Sequence, residues 1–110
     1  MTHAHGETRR EPRFQVDWPA TVRLSGFSTV RAEVRDVASH GIGLTLPAGI
    51  SARSEFWVML GTALGPVLGR AVVKWQAGDD GHTRAGARFE PHGGYSSVRY
   101  HKALIALGNA

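Results

Sequence analysis

The chain has 110 residues, a formal net charge of +4 and no cysteine. That length suffices for one domain with its own core, and the missing thiols exclude a disulfide framework and thiolate chemistry. No run of about 18 apolar residues occurs, so no membrane-spanning helix is expected, and MTHAHGETRR lacks the apolar stretch of a secretory signal. A cytoplasmic location is the expectation.

Eleven Arg stand against two Lys. An anionic partner suits that balance, although a high-GC genome, which writes Arg for Lys, gives the same count. Position says more. Three of the eleven fall within Arg9-Arg10-Glu11-Pro12-Arg13.

Residues 1–8 are polar and read as a flexible arm, with a folded domain expected over 9–110. From Phe14 the pattern changes. Phe14, Val16, Trp18, Ala20, Val22 and Leu24 alternate with Gln15, Asp17, Pro19, Thr21 and Arg23. Period two predicts a half-buried strand, and Pro19 marks an edge or a bulge. After a turn at Ser25-Gly26, Val30, Ala32 and Val34 alternate with charged residues as a second strand. A third begins between Gly41 and Gly43, points Ile42, Leu44 and Leu46 inward, and stops at Pro47-Ala48-Gly49.

Phe56 to Leu60 is a continuous apolar run, short enough for a buried strand. Val67, Gly69, Ala71, Val73 and Trp75 form the inward set of a fifth strand. Gly78-Asp79-Asp80-Gly81 signals a hairpin into a sixth strand over Thr83 to Phe89. Six short strands argue for an antiparallel β-barrel, which hides its sheet edges. Tyr100, Ala103, Leu104 and Leu107 then follow helical spacing. A helix capped by Ser96 or Ser97 and ended by Gly108 would plug one mouth of the barrel. The fold class is thus all-β with a C-terminal helix.

Two clusters carry chemistry. Pro12 disfavours the helical region for Glu11, so the Arg cluster reads as a loop whose forks converge on a ligand. Such forks match phosphates and the O6/N7 edge of guanine. Asp36-Val37-Ala38-Ser39-His40-Gly41 follows the second strand. Asp36 falls where alternation would place an apolar residue, and its carboxylate can accept from guanine N1–H and N2–H or orient an Arg. Gly41 permits close approach. Together they suggest a pocket for a guanine-bearing, doubly charged small anion.

With these clusters in this order, the chain resembles the PilZ domain, a bacterial receptor module for cyclic di-GMP. That family is marked by Arg-x-x-x-Arg followed by Asp/Asn-x-Ser-x-x-Gly. Arg9 to Arg13 match the first motif, and Asp36 and Gly41 match the ends of the second. The resemblance covers roughly residues 8–107 and implies a six-stranded barrel closed by one helix. It implies that Arg9 and Arg13 clamp guanine edges and phosphates, with Arg10 assisting. Asp36 would meet a guanine edge, Gly41 would let the turn close, and Trp75 would flank a base or serve as a barrel-mouth aromatic. The family serine falls at Ala38, with Ser39 one residue late. An Ala38 facing the ligand removes one hydrogen bond, about 0.5–1.5 kcal/mol; a bulged turn would let Ser39 supply the hydroxyl instead, and His40 could approach a phosphate.

The resemblance implies a regulator whose signal is ordering of the arm and an altered contact with an unidentified protein partner, as a monomer or weak dimer. No cofactor and no catalysis are expected, since Ser, His and Asp lack a motif placing a nucleophile beside a base. The six His are scattered and form no compact metal-ligand set. The alternative is a degenerate adaptor of the same family, tied to motility or pilus function, that binds no nucleotide. A barrel binding a nucleic-acid polymer is disfavoured, because the aromatics follow the inward phase and the basic cluster lies on the tail.

Overall fold

The computed structural model describes residues 11–25, 28–48 and 54–109. Six strands run in chain order: β1 Phe14–Ser25, β2 Ser28–Ala38, β3 Gly41–Pro47, β4 Glu55–Thr62, β5 Gly65–Asp79 and β6 His82–Pro91. One helix follows, α1 Gly93–Gly108. All pairings are antiparallel, and the strands close a barrel in the order β1-β2-β3-β6-β5-β4.

The alternation seen in the sequence fills this barrel. Ala20 and Val22 of β1, Ala32 and Val34 of β2, and Ile42, Leu44 and Leu46 of β3 are all buried. Phe56, Val58 and Leu60 join them from β4, Val67 and Ala71 from β5, and Ala85, Ala87 and Phe89 from β6. β4 is not buried on both faces as its apolar run suggested. Trp57 and Met59 face outward between its buried residues, so an apolar run here hides an ordinary half-buried strand.

Asp80 (φ 48°) and Gly81 (φ 86°) form the two-residue turn between β5 and β6. Two consecutive positive φ values match the right-handed twist of the strands they join. The β1–β2 turn, including Gly26, and Gly49 lie outside the described residues.

α1 buries Tyr100, Ala103 and Leu104. The Tyr100 ring meets Phe89 edge-on at 5.0 Å. The helix end reaches β1, where a Cβ on Gly108 would lie 3.5 Å from the Phe14 ring. The helix thus covers the mouth formed by the starts of β1 and β5 and the ends of β2 and β6. The serine cap is a correction. The N-cap is His92, in extended conformation and without a side-chain capping bond. Ser96 instead accepts the Leu68 N–H at 3.1 Å, tying the helix to β5.

Candidate functional site

Two bulges build the site. Between Val34 and Asp36 the β2–β3 register shifts, so Arg35 is the extra residue. A bulge re-aims the side chains beyond it. Asp36 therefore leaves the inward phase and stands half-exposed on the outer face, while Val37 returns to the core. The same happens at Lys74, between Val73 and Trp75 on β5. Trp75 does not continue the inward series of Val67, Ala71 and Val73. It is 53% exposed.

The bulges bring both residues into one lateral row. Asp36 pairs with Gly43, Gly43 with Gly86, and Gly86 with Trp75. The two middle positions are glycine for a steric reason. A Cβ on Gly43 would lie 2.5 Å from Asp36 Oδ2, and a Cβ on Gly86 would run into the Trp75 indole. Acid and indole fold inward over a floor of bare backbone. The result is a groove of about 470 Å³ on the outer barrel wall.

Arg13, just before β1, caps the Asp36 end of this row. Its Nε donates to Asp36 Oδ1 at 3.0 Å, and its Nη2 donates to the same oxygen. That leaves Nη1 over Gly41, 3.3 Å from where a Cβ would stand. The guanidinium is half-exposed and held by one carboxylate, a fixed charge aimed along the groove.

The β2–β3 turn is held from two sides. His40 donates its backbone N–H to Glu11 Oε1 at 3.1 Å, and its Nδ1 contacts Glu11 Oε2. The His40 carbonyl accepts the Phe89 N–H at 3.0 Å. The His40 hydrogen bond is the main cause holding the Glu11 carboxyl below its ordinary range. Burial and the Arg13, Glu11 and Asp36 charges also act on Tyr100 beneath the turn; burial dominates and pushes its phenol up.

The expected residues divide clearly. Arg13, Asp36, Gly41 and Trp75 line one groove. Arg9 and Arg10 lie outside the described residues. Ser39 is exposed on the turn but is not part of the groove wall. Ala38 does not face the groove: it is fully buried, and its carbonyl accepts the Tyr100 hydroxyl at 2.6 Å. Gly43, Lys74, Gly86 and Arg88 line the groove without having been singled out. The spacing of Gly41 and Gly43 on the outward phase of β3 was the available signal for a bare floor. Lys74 and Arg88 carry no local signal, because a bulge and a cross-strand register place them.

The tryptophans divide. Trp18 packs against the core. Trp57 is on the outer face, edge-on to His92 at 5.0 Å, and Trp75 is in the groove. Among the described residues no helix is long and apolar enough to cross a membrane.

Several solved structures share this architecture. The Escherichia coli YcgR PilZ domain with c-di-GMP superposes with TM-score 0.71 at 18% identity, covering 92% of each chain. The Bacillus subtilis inhibitor of motility MotI/DgrA gives TM-score 0.71 at 14% identity, over 92% of this chain and 52% of that one. The K. pneumonia MrkH–c-di-GMP complex gives 0.72 at 19%, over 90% and 52%. This chain thus spans about half of MotI/DgrA and MrkH, and at these identities the likeness is one of fold. The comparison with curated proteins finds no match. The PilZ domain family model matches residues 7–100, and the chain belongs to the PilZ domain family.

Proposed function

We propose that this chain is a receptor for cyclic di-GMP and acts as a regulator rather than an enzyme. One observation carries the reading: Asp36, Gly43, Gly86 and Trp75 form a single row with Arg13 bound at its Asp36 end. The row offers what a guanine nucleotide needs. Trp75 presents a face for base stacking, worth about 1–3 kcal/mol. Asp36 offers acceptors to a guanine Watson–Crick edge. Arg13, joined by Arg9 and Arg10 from the preceding segment, offers donors to phosphates and to guanine O6 and N7. The glycine floor at Gly43 and Gly86, with Gly41 beside it, lets the ring systems approach the backbone. His40, whose Nδ1 is held by Glu11, lines the groove, and Ser39 on the same turn is the nearest hydroxyl for a phosphate. Family membership and the c-di-GMP complexes of YcgR and MrkH support the same ligand.

The buried Ala38 bears on affinity. Its methyl points away from solvent, so Ser39 is the hydroxyl available at this turn. In the proposed mechanism, binding draws the Arg9–Arg13 segment over the groove. That ordering changes the surface offered to a protein partner.

Calorimetric titration of cyclic di-GMP into the protein and into Arg9→Ala/Arg13→Ala, with GTP as control, tests the reading. The expected result is micromolar or tighter binding, about −8 kcal/mol, lost in the double variant and absent with GTP. No binding at about 100 μM ligand by calorimetry and by a second method overturns it. The family's adaptor role then stands in its place.

A further inference from the structure

The helix face turned away from the barrel is unusually apolar. Among the described residues six large hydrophobic side chains are at least 39% exposed. Four of them, Leu64, Tyr95, Val98 and Ile105, gather on or beside α1. Tyr95, Val98, Lys102 and Ile105 are spaced i, i+3, i+7 and i+10, so they share one face. Leu64, in the β4–β5 turn, stands alongside and makes the face concave. Leu64, Gly94, Tyr95, Val98, Arg99 and Lys102 enclose about 600 Å³.

This concavity is held in place. The Arg99 guanidinium lies 4.5 Å from the Tyr95 ring centroid. Its Nη1 donates to the Pro66 carbonyl at 2.7 Å, which fixes the helix against the start of β5, next to the β4–β5 turn. A soluble protein rarely leaves such a cluster unused.

The charge on the face selects its occupant. α1 contains Arg99, His101 and Lys102 and no carboxylate. No Asp or Glu follows Glu90 in the chain. Two copies of this face would set cation against cation, so self-pairing is opposed. An apolar stripe flanked by cations fits an amphipathic segment with apolar anchors and flanking carboxylates.

We propose that the outer face of α1 with Leu64 is a docking site for an acidic amphipathic helix of a partner protein. The surface uses no groove residue, so it stands or falls apart from the nucleotide reading.

The test is an NMR titration of the isotope-labelled chain with a synthetic peptide of roughly five helical turns, Leu on one face and Glu on the others. The controls are the same peptide with Lys for Glu, phosphatidylglycerol vesicles, and the protein alone at rising concentration. The expected result is shifts confined to Leu64, Tyr95, Val98, Lys102 and Ile105 with the Glu peptide. Val98→Asp should abolish them. Lys102→Glu should weaken the Glu peptide roughly three- to fivefold, the size of one surface ion pair, and strengthen the Lys peptide. Both positions are exposed, and retained spectral dispersion shows that the variants fold. No shifts at about 1 mM peptide, or shifts at Arg13 and Asp36 instead, overturn the proposal. So does vesicle binding without peptide binding, which makes the face a lipid contact. Concentration-dependent shifts of the same residues without peptide also overturn it, assigning the face to a second copy.

Discussion

The Tyr100 hydroxyl donates a 2.6 Å hydrogen bond to the Ala38 carbonyl. Sixty-two residues separate the two in sequence. Through this bond the helix grips the last residue of β2, one step before the turn that carries Ser39, His40 and Gly41. The groove and the C-terminal helix therefore share a fixed point.

Tyr100→Phe should loosen that point. It leaves a buried carbonyl without its partner, at about 1–3 kcal/mol, read as a lower urea midpoint with unchanged m-value. The pH dependence distinguishes the hydroxyl from packing. Burial raises the phenol above its ordinary 10.0, so the folded chain keeps a proton that the unfolded chain loses. Stability should be full below about pH 10 and fall as the pH rises beyond it. The Phe variant should lack that component of the slope.

Gly69→Ala should be far more damaging than Gly41→Ala. A Cβ on Gly69 would run into the buried Phe89 ring and lie 2.7 Å from the Glu90 carbonyl oxygen. Neither backbone nor core ring can give way cheaply, so a loss of about 1–3 kcal/mol is expected. At Gly41 the nearest atom is Arg13 Nη1, at 3.3 Å, the end of a flexible exposed side chain. Chemical unfolding should show Gly41→Ala within about 0.5 kcal/mol of the parent.

Glu11 and His40 make a titration experiment. The hydrogen bond from His40 holds Glu11 below its ordinary 4.5. A depressed carboxyl contributes stability above that value and loses it as pH falls. The pair is partly exposed, so solvent screening keeps the contribution small. By NMR the Glu11 carboxyl should titrate below 4.5, and in His40→Ala its midpoint should move up. An unmoved midpoint would remove His40 as the cause.

Much of the fold was legible because a barrel strand repeats a period of two. Phe14 to Leu24 and Ile42 to Leu46 face as that period requires, and Asp80-Gly81 makes the turn its composition announced. The site was only half legible. Arg13, Asp36 and Gly41 stand out by residue type and spacing. The direction of Asp36 and Trp75 does not, because bulges at Arg35 and Lys74 invert the phase. A bulge is settled by register against a partner strand, which local alternation does not contain. Ala38 is buried next to the buried Val37, against local alternation, and its carbonyl is bound by Tyr100 from far along the chain.

Trp75 and Gly86 provide the sharpest test of the groove as a base-stacking site. Trp75→Ala should weaken cyclic di-GMP by about 1–3 kcal/mol, roughly 5- to 150-fold. Trp75→Phe keeps a flat face and should recover most of that loss. Gly86→Ala alters no group that could touch the ligand by charge or hydrogen bonding. Its new Cβ instead occupies the space of the indole. Because Trp75 is exposed on its other side, the ring can swing outward, and the fold should lose less than about 1 kcal/mol. The displaced ring no longer lies along the floor between Gly86 and Asp36. Gly86→Ala should therefore approach Trp75→Ala in affinity while unfolding like the parent. Added to Trp75→Ala, it should weaken binding little further, since both act through one ring. Full additivity in that double variant would mean that Trp75 does not stack on the ligand over this floor.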